Sequence, residues 1–310
     1  MNTRQLHHFV AVMDTGSLSA AAEAVHLSVP ALSRSLKALE DELRVSLFDR
    51  SNRRLHPTPY ALEYLDRARR IVFDEREGAR ALSLMKNGAY GPLAFGLGSS
   101  LAVDLLAPLI NELIANGPNL RVQAQVESTD ALLDSLRREK LDFFVGDVSS
   151  AASSADLIAE PLYKCTYGWF VRHDHPLAGK KKITISELEN YPIIGSGYIS
   201  DTLAFNISQL YGWRLPLEKN FSVNINNLET IHKLLSTSNM ISPSTYNAMH
   251  QPLKSKAVVA LDVYPKLNLD MTLGIVRLAL RTLVPSTEHA FEIIRDYFIK
   301  IEKEVSKYTV

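Results

Sequence analysis

The chain has 310 residues, 46% of them hydrophobic and 22% charged, which exceeds one ordinary domain and predicts two or three folded units with a sizeable core. Lys and Arg total 34, as do Asp and Glu, so net charge argues neither for nor against nucleic acid, and any pull on a polyanion must come from a local cluster. The single cysteine, Cys165, excludes an intramolecular disulfide and a thiolate metal site; it is expected as a small buried hydrophobe in a reducing compartment.

The opening "MNTRQLHHFVAVMDTGS" carries no long apolar run, and no stretch approaches the roughly 18 apolar residues needed to span a bilayer. A cytoplasmic protein without a membrane partner is expected. Leu6, Phe9, Val10 and Met13 share one helical face, which Gly16 closes. Ser19 is the expected N-cap of a short second helix rich in alanine. Ser28 is the expected cap of a third, with Pro30 in its first turn. In that helix Leu32, Leu36, Leu39 and Leu43 recur at four, three and four, leaving Pro30, Arg34 and Lys37 on the opposite face with Ser33 beside them. "LFDRSNRRLHPT" predicts a hairpin around Ser51 and Asn52 with Arg50, Arg53 and Arg54 near its tip. Thr58 and Pro59 then open a long helix to about Met85. Its Ala61, Leu65, Ala68, Val72, Ala79 and Leu82 follow rough heptad spacing, which suits pairing with a second copy of the chain.

"KNGAYGP", residues 86 to 92, marks a boundary or hinge. Beyond it "LAFGLG", "LRVQAQVE" and "LDFFVG" read as strands separated by helical segments, the alternation of a mostly parallel sheet. A second group follows: strands "CTYGWFV", "YPIIG", "FSVNIN", "NMISPS" and "VVALDV", with helices near 201–211, 227–235 and 243–250. A last strand, "LDMTLGIVRL", and a helix from about Ser286 to Lys303 are expected to return to the first lobe. The predicted layout is a DNA-binding unit over 1–58, a pairing helix over 59–87, a hinge over 88–92 and a two-lobed unit over 93–310. Its first lobe takes about 93–161 and 266–310, its second about 162–265.

Helix, short helix, tight turn, helix with a polar outer face, then a basic hairpin is the order of a winged helix-turn-helix, whose third helix enters the DNA major groove. Residues 1–61 resemble the LysR-type transcriptional regulators in "RQLHHFVAVMDTGSLSAAAEAVHLS", "PALSRSLKALEDEL", "LFDR" and "LHPTPYA", which fall in that family's order and spacing. The resemblance implies an N-terminal winged helix-turn-helix with a long linker helix, followed by an α/β effector domain of two lobes like a periplasmic solute-binding protein. It further implies a homodimer or homotetramer on double-stranded DNA, a small-molecule effector in the cleft between lobes, and RNA polymerase among the expected partners. Val29 stands where many members carry glutamine, and can touch a thymine methyl without hydrogen-bonding an adenine edge. Arg44 stands at a position that is commonly glycine.

The candidate DNA contacts are Ser28, Val29, Pro30, Ser33, Arg34 and Lys37 on the third helix, and Arg50, Arg53 and Arg54 on the wing. Wing arginines are expected to position the protein on phosphates, and helix residues to specify sequence. Ser99 and Ser100 in "FGLGSSLAVD" lie between a strand end and a helix start, where amides and hydroxyls can receive an anion. Helix capping by one serine is the plainer reading, but the resemblance implies an effector role. Thr129, Ser196, Tyr198, Thr202 and Asn226 follow the same logic, and together they suggest a small carboxylate or other anion. No metal or cofactor is expected: His173 and His175 in "RHDHPLAG" have no visible third ligand. No P-loop or G-x-S-x-G elbow occurs, so no catalytic residue is expected. The rival reading is a two-lobed enzyme or solute-binding protein fused to a helical interaction module, with turnover or transport in place of sequence-specific DNA binding.

Overall fold

The computed structural model describes residues 2–49, 55–87, 92–117, 119–149, 151–196, 201–267 and 269–308. They form two compact units, Met1–Asn87 and Gly88–Val310.

In the first unit, helix α1 (Thr3–Thr15) opens on a capping box: Asn2 Oδ1 accepts from Gln5 N at 3.0 Å, and Asn2 N donates to Gln5 Oε1 at 2.9 Å. It ends at Gly16, whose φ of 65° suits glycine. Helix α2 (Leu18–Ala24) is capped by Ser17, whose hydroxyl accepts from Ala20 N at 3.4 Å. Ser19, the expected cap, lies inside the helix, because Ser17 directly after the Gly16 turn is already extended and starts it two residues earlier. Helix α3 (Val29–Leu43) is capped by Ser28, which accepts from Ala31 N at 3.4 Å, with Pro30 in the first turn. Its Leu32, Leu36 and Leu39 are buried, each burial stabilising by about 1.5–3 kcal/mol. They pack with Leu6, Phe9 and Val12 of α1 and Ala21 and Ala22 of α2.

Arg44 ends α3 in the left-handed region, at φ 58°, a conformation that costs a side-chain-bearing residue about 1–2 kcal/mol. The chain then turns into strand β1 (Phe48–Asp49), paired antiparallel with β2 (His56–Pro57). Glu40 Oε1 accepts from both Leu47 N, at 2.7 Å, and Phe48 N, at 3.0 Å, so α3 itself fixes where the wing leaves the core. Helix α4 (Pro59–Asn87) begins at Thr58, whose Oγ1 accepts from Ala61 N at 3.3 Å. The heptad seam of α4 divides. Ala61, Ala68 and Val72 are buried and Leu65 is partly buried in their own unit's core, whereas Ala79 and Leu82 are exposed. Polar ties run α1 along α4: Arg69 pairs with Asp14 at 2.5 Å, and Glu75 accepts from Thr3 and His7, each at 2.7 Å.

The second unit opens with three parallel strands, β3 (Leu93–Gly98), β4 (Val122–Glu127) and β5 (Phe143–Asp147), joined by helices α5 (Ser99–Asn116) and α6 (Thr129–Arg137). β4 and β5 flank β3 on opposite sides. Strand β6 (Leu157–Arg172) is a single run of 16 residues, longer than the predicted "CTYGWFV". It continues through Pro161 because its partner strand shifts register at Gly274, where any side chain would strike the Glu160 carbonyl.

After β6 come β7 (Ile183–Thr184), α7 (Ile185–Leu188), β8 (Ile194–Ser196), α8 (Asp201–Tyr211) and β9 (Val223–Ile225). Helix α9 (Leu228–Thr237), β10 (Ser242–Thr245), α10 (His250–Lys254), β11 (Val258–Leu261) and β12 (Val263–Tyr264) follow. The helix expected over 243–250 is therefore a strand first and a short helix only from His250. Strand β13 (Asp270–Leu278) pairs antiparallel with both β5 and β6, and α11 (Pro285–Val305) closes the chain.

The sheet order β10-β6-β13-β5-β3-β4 shows that β6 belongs to both lobes. Its first part pairs with β13, and its last six residues carry β10 and β11. Phe95, Phe143 and Phe291 form the aromatic centre of the first lobe, with Phe143 edge-on to Phe291 of α11 at 4.9 Å. Trp169 and Trp213, edge-on at 5.7 Å, centre the second.

Candidate DNA-binding face and effector crevice

The outer face of α3 carries the predicted donors. Ser28, Val29, Pro30, Arg34 and Lys37 are exposed, and Ser33 is half-buried. Arg34 and Lys37 sit one turn apart on the N-terminal half of the helix, where the dipole is positive, and the acids Glu40, Asp41 and Glu42 fall at its other end. His8, buried under α3, meets Ser35 Oγ at 2.7 Å and holds α3 against α1. The wing candidates Arg50, Arg53 and Arg54 lie outside the described residues.

Burial, then the positive charge of Arg4 and His7, holds His8 below the ordinary histidine value. Between that lowered value and about 6.5 the unfolded chain binds the extra proton, so His8's contribution is full above pH ~6.5 and is lost as pH falls through the folded value. Hydrogen exchange should show α1 and α3 losing protection between pH 7.5 and 5, with a shallower loss in His8→Gln. An identical slope in that variant would assign the effect elsewhere. Lowered His175 and His232 act in the same direction within the second unit, which is why the readout must be local.

In the second unit, the carboxyl ends of β3 and β5 meet the starts of α5 and α6 at the point where the strand order reverses. Ser99 and Ser100 occupy the first turn of α5, both half-buried. Gly98 is the N-cap and no side chain caps this helix, so capping does not employ either serine. Thr129 opens α6, which Ser128 caps by accepting from Ala131 N at 3.3 Å. A methyl added to Gly146 would lie 3.5 Å from Thr129 Oγ1, and one on Gly98 would lie 3.7 Å from Gly146 Cα. Ser99, Ser100 and Thr129 are thus gathered around two adjacent strand ends. Asp147 at the end of β5, which the sequence reading passed over, accepts from Ser149 N at 2.9 Å and Ser149 Oγ at 2.6 Å.

The second lobe repeats the device. Parallel β8 and β9 place Ser196 beside Ile225, bringing Ser196 and Asn226 to adjacent strand ends that lead into α8 and α9. Asn226 is exposed, and its neighbour Asn227 caps α9 by accepting from Thr230 N at 2.8 Å. Thr202 lies in the first turn of α8; its side chain and that of Ser196 are outside the described residues, as is Tyr198. The residue sequence reasoning missed is Asn247, buried between the lobes, whose Nδ2 donates to the Ser100 carbonyl at 3.5 Å. Nothing in its local sequence sets it apart from a loop asparagine.

The histidines of "RHDHPLAG" are split by burial: His173 is exposed, while buried His175 accepts from Leu177 N at 3.1 Å through Nδ1 and stacks near Tyr191. Among the described residues no group of three or more His, Cys, Asp or Glu is placed to hold a metal ion. Among them, too, no helix is long and apolar enough to cross a membrane.

A winged helix-turn-helix joined to a two-lobed α/β sensor defines a ligand-responsive DNA-binding regulator. Residues 3–62 match the bacterial regulatory helix-turn-helix of the lysR family, and residues 86–299 match the LysR substrate binding domain. The chain belongs to the LysR family: it is a DNA-binding transcriptional regulator with an effector-binding domain. It is 30% identical over 296 residues to the SDS degradation transcriptional activation protein of a Pseudomonas species, covering 94% of this chain and 95% of that one. It is 29% identical to the regulator GbpR of Rhizobium radiobacter over 60% of this chain and 62% of the relative. In fold it resembles a full-length OxyR variant from Pseudomonas aeruginosa, with TM-score 0.59, 22% identity and coverage of 96% of this chain and 94% of that one. A hydrogen-peroxide-bound OxyR mutant of Corynebacterium glutamicum gives TM-score 0.55 at 22% identity, over 100% of this chain and 97% of that one.

Cys165 has none of the chemistry of a reactive thiol. It is fully buried in β6, its Sγ–H donates to the Met271 carbonyl at 3.3 Å, and burial pushes the thiol up to about 12. Folded protein should therefore take up no adduct from iodoacetamide or hydrogen peroxide at pH 7.5, whereas protein unfolded in guanidinium gains one carbamidomethyl group by mass. Labelling of the folded form at the unfolded rate would contradict this burial.

Proposed function

We propose that this regulator reads DNA with the N-terminal half of α3, through Ser28, Val29, Pro30, Ser33, Arg34 and Lys37. Arg50, Arg53 and Arg54 of the wing grip phosphate or the minor groove. Residues 1–58 form the DNA-binding head, 59–87 pair chains into a homodimer or homotetramer, 88–92 form the hinge and the remainder senses the effector. The split seam of α4 supports pairing through its exposed second half, around Ala79 and Leu82. The protein acts in the cytoplasm, touches RNA polymerase and performs no catalysis.

The effector occupies the crevice bounded by Ser99, Ser100 and Thr129 on one lobe and by Ser196, Tyr198, Thr202 and Asn226 on the other. The observation that carries this reading is the uncapped start of α5 at the strand-order reversal, next to Thr129 at the start of α6. A small carboxylate or other anion fits such a site. The relative named for SDS degradation adds alkyl sulfates to the first panel.

Binding of effector with different affinity in two assemblies shifts their populations and alters DNA bending. A gel shift on DNA from upstream of the gene should saturate and weaken steeply with salt as phosphate contacts release counterions. Salt-independent binding, or equal affinity for scrambled DNA, would reject the DNA reading. Titration calorimetry that finds only cationic or wholly apolar ligands would reject the anion reading.

A further inference from the structure

Asn247 reaches the crevice on the connection between β10 and α10, and that connection is held from several sides. Thr245 Oγ1 accepts from Ala248 N at 3.2 Å, and His232 Nε2 meets the Ala248 carbonyl at 2.8 Å. His250, 5% exposed, meets Glu304 Oε2 of α11 at 2.7 Å, with Asp104 of α5 3.6 Å from its other ring nitrogen. In this fixed place Asn247 is 1% exposed, and its Oδ1 is buried with no hydrogen-bond partner. Its orientation follows from the acceptor it faces: turning the amide over would set Oδ1 against the Ser100 carbonyl and lose the bond Nδ2 makes there. A buried amide oxygen without a donor is unfavourable, and a ligand that supplies the donor removes the penalty.

The crevice therefore carries two complementary demands. The uncapped first turn of α5, whose leading amides have no intrahelical acceptor, calls for an anion. Beside it Asn247 Oδ1, together with the Asp147 carboxylate at the end of β5, calls for a hydrogen-bond donor. We propose that Asn247 is a specificity-determining residue of the effector crevice and that the effector is a small acid bearing a hydroxyl or ammonium group close to its carboxylate. The acid group meets the start of α5, and the donor meets Asn247 Oδ1. This rests on the anion reading of the crevice given above, and sharpens it to hydroxy and amino acids.

The test is titration calorimetry of the full-length protein with acids that differ only in the donor: propionate against lactate, butyrate against 3-hydroxybutyrate, and succinate against malate. In at least one pair the hydroxylated member should bind about tenfold more tightly, because a site built around a buried acceptor discriminates against ligands that leave it unpaired. Asn247→Leu should abolish that preference while the plain acid keeps its affinity within about threefold. Asn247→Asp keeps the shape and the acceptor oxygen, and should move the preference toward ammonium acids, alanine over lactate and aspartate over malate. Equal affinities within every pair, or a preference that survives Asn247→Leu, would overturn the proposal and leave the anion site standing. If Asn247→Leu fails to fold, an Asn247→Asp protein that keeps the wild-type order of preference overturns it. Failure of every acid, plain or hydroxylated, to bind would bring down the anion reading itself.

Discussion

Replacing Arg281 with methionine is expected to lower the stability of the second unit by about 3–5 kcal/mol, the cost of leaving a buried carboxylate without its partner. Asp142, 3% exposed, accepts through Oδ1 from Arg281 Nε at 3.2 Å and Nη2 at 2.9 Å, and through Oδ2 from Ala94 N at 2.9 Å. The carboxylate thus ties the entry of β5 to the start of β3, and the guanidinium also faces Glu139 at 3.8 Å. Both tryptophans, Trp169 and Trp213, lie in the second unit, so urea unfolding followed by tryptophan fluorescence reads that unit alone. The double substitution Arg281→Met with Asp142→Leu should recover a large part of the loss, since an apolar pair leaves no charge stranded. A loss below about 1 kcal/mol in the single variant would mean that water or another cation reaches Asp142 when the guanidinium is gone.

Replacing Arg34 with alanine should relax sequence preference by about 1–3 kcal/mol at one base pair, roughly five- to 150-fold in discrimination, if its guanidinium bridges a guanine edge. Arg34 stands exposed on the donor face of α3, while Leu32 and Leu36 on either side are buried. Arg53→Ala should instead weaken binding to all sequences and lower the slope of log affinity against log salt by about one, as loss of a single phosphate contact does. Competition binding on a randomised DNA pool, repeated at several salt concentrations, separates the two effects. Equal consequences from both substitutions would show that their roles are misassigned.

The DNA-binding unit was largely legible in the sequence because its determinants are local. Ser28 and Pro30 mark the start of α3, and a leucine spacing of four, three and four decides which face is buried whatever the neighbours are. Ser19 was misread as a cap because any serine before an alanine run fits the composition; only the backbone after Gly16 shows that Ser17 is already in place. The seam of α4 was legible as a pattern but not as an allocation. Small and aliphatic residues at heptad spacing serve a second chain or the helix's own unit equally well, and the core around α1 takes Ala61, Ala68 and Val72.

Amino-acid order by itself determined the order of elements, the donor face of α3 and the hydroxyls that collect at strand ends, because caps, turns and side-chain periodicity act over a few residues. Tertiary structure alone decided what depends on residues far apart in the chain. β6 runs unbroken through Pro161 because β13 shifts register opposite it. Arg281 neutralises Asp142 across 139 residues, and Asn247 reaches Ser100 across 147. Cys165 is inert because the sheet closes over it. In each case burial sets the chemistry, and burial is a property of the packed chain that no local pattern encodes.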